Sequence, residues 1–114
     1  MSESLKLAKK AANILTENKA EDVVILDVGE SFQLADYFVI ASGQSRPHLE
    51  FLAGEIRKTL EDDLEREPRG PEGSADQGWL LADYRNVIIH LFTEEERQYY
   101  DLESLWADAD VVSA

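Results

Sequence analysis

Apolar positions change their period along this chain, and each change marks an element. From Ser4 to about Asn18, Leu5, Ala8, Ala11, Ala12 and Leu15 recur every three or four residues, with Lys6, Lys9 and Lys10 on the other side. That spacing predicts an amphipathic helix, because a helical turn brings those positions onto one face. Val23-Val24-Ile25-Leu26-Asp27-Val28 shows no alternation and predicts a strand covered on both faces. Gly29-Glu30-Ser31 supplies a turn, and Asp36-Tyr37-Phe38-Val39-Ile40-Ala41-Ser42 reads as a second strand ending at Gly43. Strands this close pair most simply as antiparallel neighbours, since a parallel pair needs a crossover of about a dozen residues.

Ser45 precedes Arg46-Pro47-His48, a favoured N-cap followed by a proline in the first turn, where its missing N–H costs nothing. Leu49, Leu52, Ala53, Ile56 and Leu60 then keep helical spacing to about Leu64. Glu65 to Gly78 holds two prolines, three glycines and no large apolar residue, and reads as an exposed loop. Beyond it, Trp79-Leu80-Leu81-Ala82-Asp83 and Val87-Ile88-Ile89-His90-Leu91-Phe92 flank a polar turn and predict a β-hairpin. Thr93-Glu94-Glu95-Glu96 fits a capping box that opens one or two short helices, and Asp101 is placed to cap a turn with Leu102, Leu105 and Trp106. The predicted order is helix, strand, strand, helix, strand, strand, short helices. This is an α/β chain of the α+β type, with a mixed sheet of four or five strands under its helices. One domain over residues 1–107 is expected, with an acidic, frayed tail over 108–114.

Composition narrows the function. The chain has 114 residues, 44% of them hydrophobic, enough for one core and not two. Its 24 acidic and 11 basic residues give a formal net charge of -13. That balance argues against binding nucleic acid through the phosphate backbone, which normally requires a Lys/Arg patch able to displace counterions, and no direct sequence-specific nucleic-acid partner is expected. It favours a basic protein partner, or simply a solvated surface. No cysteine is present, which excludes disulfides, thiolate metal sites and a cysteine nucleophile. No signal-peptide apolar segment opens the chain, and no run approaches the ~20 apolar residues of a membrane span. A cytoplasmic protein without a membrane partner is expected.

Candidate chemistry is sparse. His48 and His90 are the two histidines, and no His-x-x-x-His or Glu-x-x-His spacing supports a metal site. Strand alternation sets His90 with Ile88 and Phe92, opposite Val87, Ile89 and Leu91, and a structural or interfacial role outweighs catalysis there. Gly43-Gln44-Ser45, at a strand-to-helix turn, resembles half of the phosphate cradle of nucleotidyltransferases. The other half, paired carboxylates on a strand holding Mg²⁺, is missing, so the N-cap reading is the stronger. No P-loop, dinucleotide fingerprint or nucleophile elbow occurs. No catalytic residue, cofactor or metal is assigned. Asp27, Asp36 and Asp83 lie within or at the edges of predicted strands, where each either caps a turn or presents a carboxylate at one rim of the sheet. Among the aromatic residues, Trp106 suits the core. Trp79 opens a hairpin beside the loop, where it either fills the core or marks a binding surface.

Several strings carry a resemblance in combination. They are Ala35-Asp36-Tyr37-Phe38-Val39-Ile40-Ala41-Ser42-Gly43, the approach from Glu72-Gly73 to Trp79, Trp79-x-Leu81-x-Asp83, Val87-Ile88-Ile89-His90-x-Phe92 and Arg97-x-Tyr99-Tyr100-x-Leu102-Glu103-x-Leu105-Trp106. In this order and spacing the chain resembles the Iojap-type ribosomal silencing factors, from the first helix to Trp106. The resemblance implies a nucleotidyltransferase-like core without catalytic carboxylates. It also implies a factor that binds the large ribosomal subunit through that subunit's fourteenth protein. Such a factor blocks joining of the small subunit and lowers translation when nutrients are short. Homodimers, common in the family, would use an exposed apolar sheet face. Trp79, Leu81, Asp83, Tyr100 and Glu103 are expected to face the partner, with Asp36 and His90 in support. The rival readings are an active nucleotidyltransferase and a generic dimeric adaptor. The acidic tail has no role in the family pattern.

Overall fold

A computed structural model describes residues 3–29, 35–64, 71–74, 78–84, 86–100 and 110–112. Helix α1 (Glu3–Glu17) is followed by strands β1 (Glu21–Asp27) and β2 (Tyr37–Gly43), then by helix α2 (Arg46–Leu64). Strands β3 (Pro71–Ser74), β4 (Trp79–Asp83) and β5 (Val87–Thr93) come next, then helix α3 (Glu94–Tyr100) and strand β6 (Asp110–Val112). The six strands form one sheet in the order β3-β4-β5-β2-β1-β6.

The two long helices form where the periodicity places them. Leu7, Ala8, Ala11, Ala12 and Leu15 are buried along one stripe of α1, and three alanines in that stripe let the helix lie close to the sheet. The helix ends in a left-handed cap: Lys19 has φ 71°, the Ala20 N–H bonds the Leu15 carbonyl at 2.9 Å, and the Lys19 N–H bonds the Thr16 carbonyl at 3.2 Å. In α2, Leu49, Leu52, Ile56 and Leu60 are buried. Its start is capped as expected, the His48 N–H donating to Ser45 Oγ at 3.2 Å.

Both helices cover the same sheet face, where Ile25, Val39, Ala41, Val87, Ile89 and Leu91 join their side chains in the main core. Tyr84, between β4 and β5, is fully buried in that core. The other face holds a second apolar layer of Leu26, Phe38, Ile40, Ile88 and Phe92. Strands β2 and β5 are therefore buried on both faces, which is why their sequences run apolar without alternation.

The β1–β2 pair and the β4–β5 hairpin are antiparallel, as the sequence predicts. The β2–β5 pair is parallel, with α2, β3 and β4 in the connection. Two expectations need correction. Part of the expected loop, Pro71–Ser74, is strand β3, paired to β4 at the sheet edge, where a proline without an N–H is tolerated. Part of the expected frayed tail, Asp110–Val112, is strand β6, paired antiparallel to β1. Both are short, four and three residues, so no hydrophobic period announces them, and the sheet has six strands instead of four or five. The predicted second short helix, with Asp101, Leu102, Leu105 and Trp106, lies outside the described residues.

Candidate functional site

The hairpin register builds the site. Trp79 faces Phe92 across β4 and β5, Leu81 faces His90, and Asp83 faces Ile88. On β2 the same rungs continue through Ser42, Ile40 and Phe38. Alternate residues of a strand share a face, so Trp79, Leu81, His90, Phe92, Ile40 and Phe38 all lie on the sheet face away from α1 and α2. Burial grades across that face: Ile40 and Phe92 are fully buried, whereas Trp79 and Leu81 on β4, one strand in from the edge, are half-buried.

The aromatic rings are ordered. The Trp79 ring lies 5.9 Å from Phe92 and 6.3 Å from His90, tilted by 7° to each. The His90 and Phe92 rings are 6.1 Å apart at 4°, and Phe38 meets His90 edge-on at 4.9 Å and 70°. Offset-parallel and edge-to-face pairs are the favourable arrangements for ring quadrupoles. His90 is 6% exposed, and among the described residues neither ring nitrogen has a hydrogen-bond partner. Burial lowers its pKa from 6.5 to about 4, because the imidazolium would lose its hydration without gaining a partner. It is neutral at pH 7.

The remaining expected residues separate. Asp83 keeps the Trp79 face by the same alternation but ends β4 four positions away, on the rung with Ile88 and Phe38. Asp36 is exposed just before β2; its carboxylate accepts from Ser4 Oγ at 2.8 Å, and its N–H donates to the Asn86 carbonyl at 2.7 Å. Asp36 thus ties the first turn of α1 to the end of the sheet, two residues before Phe38 and at the opposite end of β2 from the Trp79–Phe92–Ser42 rung. Tyr100 ends α3. Glu103 lies outside the described residues.

Two further positions shape the site. Gly78 has φ 76°, and its carbonyl accepts from the Thr93 N–H at 2.9 Å. A Cβ there would sit 2.5 Å from Glu96 Cγ and 3.0 Å from Thr93 Oγ1. The residue preceding Trp79 must therefore be glycine for both dihedral and steric reasons. Gly78→Ala is expected to lower unfolding free energy by about 2 kcal/mol, read as a lower urea midpoint at constant m-value. An unchanged midpoint would mean that Glu96 and Thr93 do not close on Gly78 as described. The capping box at Thr93 is half formed: the Glu96 N–H meets Thr93 Oγ1 at 3.4 Å, but the Thr93 N–H is already taken by Gly78.

Arg97 is the second such position. Its Nη1 donates to the Asp22 carbonyl at 2.7 Å and to Ser42 Oγ at 2.9 Å. The signal for it in the sequence is its isolation, since no other basic residue follows Arg85.

The Gly43-Gln44-Ser45 turn is committed elsewhere. The Gln44 N–H donates to His48 Nδ1 at 2.9 Å, which leaves Nε2 of that ring to donate to the Asn18 carbonyl, also at 2.9 Å. A Cβ on Gly43 would fall 2.6 Å from Leu49 Cδ2, so the glycine serves the close approach of α2 to β2. Among the described residues, no three His, Cys, Asp or Glu side chains are grouped to hold a metal ion, and no helix is long and apolar enough to cross a membrane.

Fold and site together define a small α/β protein whose concentrated chemistry is an aromatic sheet face. Comparison with known proteins agrees on one family. Residues 1–114 match the family model described as ribosomal silencing factor during starvation. The chain is 36% identical over 106 residues to a ribosomal silencing factor of Halalkalibacterium halodurans, covering 93% of this chain and 90% of that protein. It is 37% identical over 103 residues to the one from Bacillus subtilis, covering 90% and 86%. A crystal structure of a Chromobacterium violaceum protein superposes with a TM-score of 0.87 at 28% identity, over 93% of this chain and 88% of that one. The chain belongs to the ribosomal silencing factor family.

Proposed function

We propose that this chain binds the large ribosomal subunit through that subunit's fourteenth protein and keeps the small subunit from joining, which lowers translation during starvation in the cytoplasm. The observation that carries this reading is the graded aromatic face, on which half-buried Trp79 and Leu81 stand over a fixed floor of His90 and Phe92. Trp in a rigid setting anchors protein interfaces with little ordering cost on docking. Asp83 and Glu103 add acidic character to a chain of net charge -13, which speeds encounter with a basic ribosomal protein. Buried aromatic contact by Trp79 and Tyr100 then slows dissociation.

The mechanism is steric exclusion, so occupancy sets the effect and no bond is made or broken. Engagement of the Gln44 N–H by His48 supports this over nucleotidyl transfer, because a donor of the phosphate cradle is already used. Sucrose-gradient sedimentation of purified subunits at constant Mg²⁺ tests the reading. The expected result is a smaller joined peak, with this chain travelling with the large subunit. A chain that stays at the top of the gradient while joining is unchanged would overturn it.

A further inference from the structure

Helix α3 has seven residues, too few to be stable alone, since isolated helices below about 12–15 residues are marginal in water. Its first turn is held where Thr93 and Glu96 pack on Gly78. A single attachment at one end would leave the helix able to pivot. The second attachment is Arg97. One guanidinium nitrogen meets two acceptors from different strands, the Asp22 carbonyl of β1 and Ser42 Oγ of β2. These partners lie 75 and 55 residues away in sequence, so no local contact substitutes for them.

Both acceptors are specially prepared. Between Glu21 and Val24 the β1 register slips against β2, and Asp22 within that bulge has φ 50°. A non-glycine residue in the left-handed region is costly and persists when its surroundings hold it. Here the bulge turns a main-chain carbonyl out of the ladder and toward the guanidinium. Ser42 is almost fully buried, on the same rung as Phe92 and Trp79 and on the same sheet face.

Tyr99 follows two residues after Arg97 and is 79% exposed. Gly78, against which α3 starts, immediately precedes Trp79. We propose that Arg97 is a positioning residue: it sets the angle of α3 and thereby the placement of Tyr99 relative to Trp79 on the partner-binding surface. This rests on the proposed ribosomal reading, and it adds Tyr99 to the residues that meet the partner. Arg suits the task better than Lys because its planar fork presents several donors in fixed directions.

Two measurements test it. In the free protein, hydrogen exchange of the α3 amides is expected to quicken about tenfold in Arg97→Ala, with Arg97→Lys between the two. In binding, the dissociation rate from large subunits is expected to rise about tenfold in Arg97→Ala and less in Arg97→Lys. In a Tyr99→Ala background the same substitution should add less than about twofold, the signature of residues acting through one contact. Ile56→Val, a destabilising change in α2, should leave dissociation unchanged, which separates positioning from loss of stability. Unchanged exchange, or additive effects of Arg97→Ala and Tyr99→Ala, would overturn the proposal. A wild-type chain that binds no large subunit would remove the functional reading instead, and the exchange result would then decide on the strut by itself.

Discussion

Lowering the pH from 7 to 4 is expected to cost this protein about 3 kcal/mol of stability through His90 alone. The imidazole is buried in the aromatic stack, its pKa lowered from 6.5 to about 4 by lost hydration. In the unfolded chain the ring takes its proton near 6.5, while in the folded chain it stays neutral until about 4. Between those values the unfolded state binds more protons, so folding weakens as the pH falls. The contribution is complete above 6.5 and is lost by about 4. His90→Leu removes the group. The variant should match or exceed the parent at pH 7, by about 1 kcal/mol, because two buried ring nitrogens without partners among the described residues are replaced by carbon. Urea titrations of both proteins at stepped pH supply the test. Their difference isolates His90, since relief of repulsion among the many carboxylates affects parent and variant alike. Parallel stability curves across this range would show that the imidazole is hydrated or paired in the folded state.

The parts of the fold visible in the sequence are those with a repeating physical cause. The α1 and α2 stripes and the face of His90 follow from periods of 3.6 or 2, and the β4–β5 hairpin from two apolar runs around a polar turn. Strands β3 and β6 are not legible, because four and three residues are too few to show a period. The parallel β2–β5 pairing was hidden for a related reason: nothing local records which strands meet across α2. Of the site, Trp79, Leu81 and His90 come together as their alternation implies. Asp36 does not, since its carboxylate belongs to Ser4 at the end of the sheet. Arg97 lies in a string whose aromatic residues carry the stronger interface signal. Its role depends on a bulge carbonyl at Asp22 that no residue pattern marks.

Trp79→Ala is expected to weaken binding to large subunits by about 3 kcal/mol, on the order of a hundredfold, chiefly through faster dissociation. The indole is half-buried and parallel to Phe92 and His90, so its exposed part is already oriented before a partner arrives. A pre-set aromatic contributes more on docking than one that must first be ordered. Trp79→Phe retains the stack and should keep most of the stability while losing about tenfold in affinity through reduced contact area. Trp79→Ala also costs folding stability, so the decisive comparison is Phe92→Leu. Phe92 belongs to the same stack but is 1% exposed and offers nothing to a partner. At equal loss of stability, Phe92→Leu should hold affinity within about threefold, because rim and core of a stack contribute differently to binding. If it lost as much binding as Trp79→Ala, this face would serve only as the protein's second core. The surface that meets the ribosome would then lie on another part of the chain, with α3 and its exposed Tyr99 as the nearest alternative.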